Sequence, residues 1–109
     1  MQVSLTEVEG GAVIKLAGKM MLGYEANDFH EAVLTAIEKN KHNLVADLSE
    51  VKFISSWGIG ILMYGYTTAT ENKGTFKLAG VPSDIKNVLK KVKLDEIIEQ
   101  FDSIEEAFM

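Results

Sequence analysis

The amino-acid sequence predicts an α/β fold, a mixed sheet of four to five strands with about four helices packed against it, in one domain spanning residues 1–109. Three observations predict it. Segments with an apolar period of two and segments with a period near 3.6 alternate along the chain in the order β-β-α-β-α-β-α-β-α. The run Leu44-Val45-Ala46-Asp47-Leu48 is almost wholly apolar, the composition of a strand covered on both faces. A chain of 109 residues with 47% hydrophobic and 25% charged side chains buries enough surface for one core.

Each element has its own justification. Val3 and Leu5 alternate with polar neighbours up to Glu9-Gly10-Gly11, and Ala12 to Ala17 resumes an extended pattern, so the first seventeen residues read as a β-hairpin. From Glu25 to Asn40, the apolar residues Ala26, Phe29, Val33, Leu34 and Ile37 recur at helical spacing, and Asn40 is placed to stop the helix. Leu44 to Leu48 is then the central strand. Ile59 to about Asn72 is long enough for a second helix, ended by Lys73-Gly74 before the strand Phe76 to Ala79. Pro82 suits the first turn of a third helix carrying Ile85, Val88, Leu89 and Val92. Ile97 to Phe101 reads as a last short strand or the end of an irregular segment, and Asp102 or Ser103 caps a C-terminal helix with Ile104, Ala107 and Phe108. Parallel strands later in the chain require right-handed helical crossovers, which leaves the loops at the strand ends as the working surface.

Composition excludes several classes of function. Acidic residues outnumber basic ones 16 to 11 and the lysines are scattered, whereas phosphate-backbone binding needs a concentrated basic footprint, so nucleic acid is not the expected partner. Without cysteine there are neither disulfides nor thiolate metal sites. The first seven residues lack the build of a signal peptide and no apolar run approaches the length of a bilayer span, which reads as a cytoplasmic protein without membrane insertion. His30 and His42 have no second histidine at ligand spacing and read as solvated or edge residues rather than metal ligands. Gly58-Ile59-Gly60 lacks both the lysine of a phosphate loop and the third glycine of a dinucleotide fingerprint, and Ser55-Ser56-Trp57-Gly58 lacks the nucleophile elbow of a serine hydrolase. The reading is of a protein that is not an enzyme and that carries no cofactor and no metal.

The seam between the central strand and the second helix carries more. Asp47-Leu48-Ser49-Glu50-Val51-Lys52-Phe53-Ile54-Ser55-Ser56-Trp57-Gly58-Ile59-Gly60-Ile61-Leu62 resembles the signature of STAS domains, the fold of bacterial anti-sigma factor antagonists, whose pattern is close to D-L-S-x-V-x-[FY]-[IM]-D-S-[SA]-G-L-G-x-L. The resemblance extends over the whole chain: the hairpin ending at Gly18, the following helix, the Phe76 to Ala79 strand and the tail from Leu94 to Phe101. It implies a switch protein whose helix-start serine, by position Ser56, is phosphorylated by an anti-sigma serine kinase that the unmodified form binds. Two flanking residues depart from the pattern, Ser55 standing for aspartate and Trp57 for serine or alanine. These departures imply an altered partner, a different kinase or no phosphorylation. Lys19-Met20-Met21-Leu22-Gly23 likewise carries methionines where the family has an acidic residue.

Physical chemistry at the same position allows two readings. A hydroxyl at a helix start caps an otherwise unpaired N–H, an effect of about 1 kcal/mol. Alternatively, phosphate placed there meets free amides and the positive end of the helix dipole. Helical geometry puts Ile59, Leu62, Met63 and Tyr66 on one side and Trp57, Ile61 and Tyr64 nearly opposite. The first set is expected in the core. The second is expected as an exposed apolar patch beside Ser56, unless the loop before the first helix or the C-terminal segment covers it. Ser55, Ser56, Trp57, Gly58, Ile61 and Tyr64 are therefore the candidate partner-binding residues, with Gly58, Gly60 and Gly65 permitting close approach of helix to sheet. Met20-Met21-Leu22 reads either as core or as an adaptable contact strip, and Asp95, Glu96, Glu99, Glu105 and Glu106 as solvated faces.

Three functions compete on this evidence. The first is a regulatory module docking on an anti-sigma serine kinase or a related regulatory protein and switched by phosphate on Ser56. The second is a non-phosphorylated scaffold or assembly subunit of a signalling or lipid-transport complex. The third is a small-ligand or nucleotide sensor using the Gly18 to Gly23 loop.

Overall fold

A computed structural model describes residues 2–20 and 26–109 of the chain. In chain order the elements are β1 (Gln2–Val8), β2 (Gly11–Met20), α1 (Ala26–Glu38), β3 (Asn43–Ile54), α2 (Ser56–Glu71), β4 (Thr75–Ala79), α3 (Ser83–Lys91), a 3-10 turn at Leu94–Glu96, β5 (Gln100–Phe101) and α4 (Ile104–Ala107). The five strands form one sheet in the order β1-β2-β3-β4-β5. The β1/β2 pair is antiparallel and the other three pairs are parallel. This is the expected mixed α/β fold, with Leu44 to Leu48 in its middle strand.

Local chemistry accounts for the turns. Gly10 closes the hairpin at φ +91°, a backbone conformation that L side chains rarely adopt. Asn40 ends α1 in the left-handed conformation at φ 63°, its neighbour Lys41 donating its N–H back to Ala36 O. Lys73 takes the same conformation after α2, and Gly74 N–H closes on Ala69 O. Pro82 sits one residue before α3, at the cap position, and Ser103 rather than Asp102 caps α4, accepting from Glu106 N at 3.2 Å. The strand β3 continues six residues past Leu48, because β2 extends to Met20 and pairs with it through two register shifts.

Alternation in the strands sends Ile14, Leu16, Leu44, Ala46, Leu48, Phe76 and Leu78 into the larger core, completed by α1, α2 and α3. A smaller core on the other face holds Val45 and Ala79 against Ala107 of α4, with Phe101, Ile104 and Phe108 packed around them. Phe29 of α1 and Phe76 of β4 meet edge to face, ring centroids 6.1 Å apart. No helix among the described residues is long and apolar enough to cross a membrane.

The buried stripe of α2 corrects the sequence-based expectation. It consists of Gly58, Ile61, Leu62, Gly65 and Ala69. Ile61, expected on the exposed side, is 3% exposed, while Ile59, Met63 and Tyr66 are only partly buried. The cause is the pair of glycines seven residues apart. Both are buried, and a stripe chosen by side-chain size misses them; Gly60, also expected to permit close approach, is instead exposed with open space where a Cβ would stand. At Gly65 an added Cβ would lie 2.8 Å from both Phe29 Cζ and Phe76 Cε1.

Gly65→Ala tests this packing. Alanine outranks glycine in a helix interior by about 1 kcal/mol, but both rings are buried and overpacking typically costs about 1–3 kcal/mol. A net loss of up to roughly 2 kcal/mol in urea denaturation is expected. A stabilised variant would mean that the two rings move aside freely.

Candidate functional site

The seam lies at the C-terminal end of the parallel strands, where β3 runs out at Ile54 and α2 begins. Ser55 is the N-cap, with extended backbone (φ −104°, ψ −178°) and a side-chain oxygen that accepts from Gly58 N at 3.4 Å. Its carbonyl accepts the first intrahelical bond, from Ile59 N at 3.0 Å. The capping and exposed roles are thus divided between two serines. Ser55 is half-buried and caps, while Ser56 is the first helical residue and is exposed to solvent.

The electrostatics of this end favour an anion. The first turn of α2 carries no acidic side chain, so the positive end of the helix dipole there is not neutralised from within the helix. Lys52 is exposed three residues before the cap. Lys19 is also exposed and pairs in register with Phe53.

Trp57 is 65% exposed, the most open large apolar side chain of the seam. Phe53, four residues before it across the strand-to-helix junction, is 47% exposed. Sequence reasoning passed over Phe53. The signal was present in the spacing of Val51 and Ile54, both buried but three residues apart, which breaks strand alternation and turns Phe53 outward at the second register shift between β2 and β3.

Of the six expected contact residues, the structure brings Ser55, Ser56, Trp57 and Gly58 together in the cap and first turn of α2, with Gly58 buried beneath them. Ile61 does not join an exposed patch, being in the core. Tyr64 is half-buried and stacks on His30 of α1, ring centroids 3.6 Å apart and 27° between planes. This side of α2 faces α1, so the neighbouring helix takes up much of the surface that an isolated helix would expose. His30 is accordingly an inter-helix residue, and burial holds its imidazole below the usual histidine range. His42 lies between α1 and β3, its Nδ1 buried without a hydrogen-bond partner. The acidic residues Asp95, Glu96, Glu99, Glu105 and Glu106 are exposed. The segment expected as a loop from Gly18 begins inside β2, where Gly18 adopts φ +97° and pairs in register with Val51. Met21 to Gly23 lie outside the described residues, and with them most of the methionine strip.

Comparison with known proteins gives one family and one fold. Residues 2–107 match the STAS domain. The chain superposes on an anti-sigma factor antagonist from Mycobacterium paratuberculosis with a TM-score of 0.82 at 20% identity, covering 97% of this chain and 89% of that one. It superposes on the Bacillus cell-fate determinant SpoIIAA, in its phosphorylated form, with a TM-score of 0.72 at 18% identity, covering 97% and 96%. A sulfate transporter family protein from Wolinella succinogenes gives 0.77 at 22% identity, covering 94% and 85%. At these identities the likenesses are of fold. The five-stranded mixed sheet, the serine-bearing seam at the end of its middle strand and the family match across residues 2–107 converge, and the chain belongs to the STAS domain family.

Proposed function

We propose that this protein is a regulatory binding module, one domain over residues 1–109, that docks on an anti-sigma serine kinase or a related regulatory protein and is switched by phosphorylation of Ser56. One observation carries the reading: an exposed serine at the first position of α2, its capping duty taken over by Ser55, stands directly beside an exposed tryptophan. Phosphate on Ser56 would add about two negative charges and three acceptor oxygens. The positive helix end tolerates that charge within the chain, but an apolar partner surface that has closed over Trp57 and Phe53 would have to desolvate it. The docking surface is therefore Ser55, Ser56, Trp57 and Phe53, with Gly58 buried in the first turn and Tyr64 at the margin.

Incubation with ATP and a serine kinase of the anti-sigma class, followed by intact mass measurement, tests the switch. One added phosphate is expected on the wild type and none on Ser56→Ala. Ser56→Asp is expected to weaken binding of the kinase at least tenfold, about 1.4 kcal/mol, with thermal unfolding unchanged because the residue is exposed. A second reading, a constitutive assembly subunit, is favoured by Ser55 standing where the family pattern has aspartate. Equal affinity of wild type and Ser56→Asp at low and moderate salt would support it.

A further inference from the structure

The two edges of the sheet are unlike. One ends in β5, two residues long and followed at once by α4. The other is β1, seven residues long, with β2 on one side and no described strand on the other. Of the usual devices that keep a strand edge from pairing, β1 carries only one charge: Gln2–Val8 contains no lysine and no proline, and the register shifts lie between β2 and β3. Its single charge, Glu7, is already bonded to Lys39 of α1 at 2.9 Å.

The register determines which backbone groups face outward. The two-residue turn Glu9-Gly10 makes Val8 and Gly11 a bond-exchanging pair, and alternation makes Thr6/Val13, Ser4/Lys15 and Gln2/Ala17 bond-exchanging too. The N–H and C=O groups of Val3, Leu5 and Glu7 therefore point away from β2, to the open edge. This row has a centre, Leu5. Turned about a two-fold axis through that residue, it is complementary to itself: Leu5 exchanges both bonds with Leu5 of a second copy, and Val3 and Glu7 each exchange both with the other copy's Glu7 and Val3. The side chains agree. Val3 and Leu5 share the core face but are only partly buried, as residues at the end of an unfinished layer are, and the same residues of a second copy would cover them. On the opposite face the small hydroxyl residues Ser4 and Thr6 come together as closely spaced, non-bonded cross-strand pairs.

We propose that β1 is a self-association edge, through which two copies of this chain join antiparallel, centred on Leu5, into one continuous ten-stranded sheet. An interface of about one strand is at the small end of specific contacts, so the dimer is weak and concentration-dependent. The closed two-fold symmetry stops assembly at two.

Sedimentation equilibrium over about 10 μM to 1 mM, the range in which so small an interface responds, should carry the average mass from the 12.0 kDa monomer towards twice that value. Over the same range, amide exchange at Val3, Leu5 and Glu7 should slow several-fold, while Ser4 and Thr6, already bonded to β2, should not change. Both substituted positions below are exposed, so folding is retained. The double variant Ser4→Lys/Thr6→Lys should stay monomeric, as should Ser4→Glu/Thr6→Glu, and an equimolar mixture of the two should dimerise, because each cross-strand pair then joins opposite charges. A wild type that remains at the monomer mass throughout, a lysine variant that dimerises like wild type, or exchange that slows equally at Ser4 and Thr6 would each overturn the proposal.

Discussion

Phe29→Ala is expected to lower stability by roughly 3 to 5 kcal/mol, the range for truncating a fully buried aromatic side chain. Phe29 is completely buried under α1 and meets Phe76 edge to face, a geometry that adds to simple area burial. Urea denaturation measures the loss, and a value near 1 kcal/mol would mean that the helices close over the gap. The same ring is one of the two that crowd a side chain at position 65, the other being Phe76. Gly65→Ala should therefore be less harmful in the Phe29→Ala background than in the wild type, because neighbouring residues that share one space are coupled.

Trp57→Ala is expected to lower affinity for the kinase partner at least tenfold, about 1.4 kcal/mol, while changing stability by no more than roughly 0.5 kcal/mol. A large aromatic side chain that stands open beside the switch residue is the type of group that dominates interface energies when it becomes buried there. Titration of each variant against the kinase, together with urea denaturation, separates the two quantities. A stability loss near 3 kcal/mol would mean that the indole packs in the core rather than standing open, and unchanged affinity would move the docking surface away from the seam.

The order of elements was legible in the sequence because each is signalled locally. Leu44 to Leu48 needs no partner to be recognised as a strand covered on both faces. Asn40 and Lys73-Gly74 mark helix ends by backbone chemistry that acts within a few residues. The seam was legible for the same reason, as a contiguous run from Asp47 to Leu62 that carries the family pattern. Ile61 was not, since the inward side of α2 runs through Gly65, whose role appears only when Phe29 and Phe76 arrive from elsewhere in the chain.

By itself, then, the sequence determined the fold class, the family resemblance, the middle strand and the position of Ser56 at the start of α2, all properties of local periodicity, capping and contiguous motif. Tertiary structure alone decided that Phe53 joins Trp57 at the surface, that α1 occupies the flank of Tyr64, and that β1 has no described strand on its outer side. The physical reason is the same in each case. Exposure is a relation between segments distant along the chain, and a register shift or a close helix approach changes it without changing any local signal.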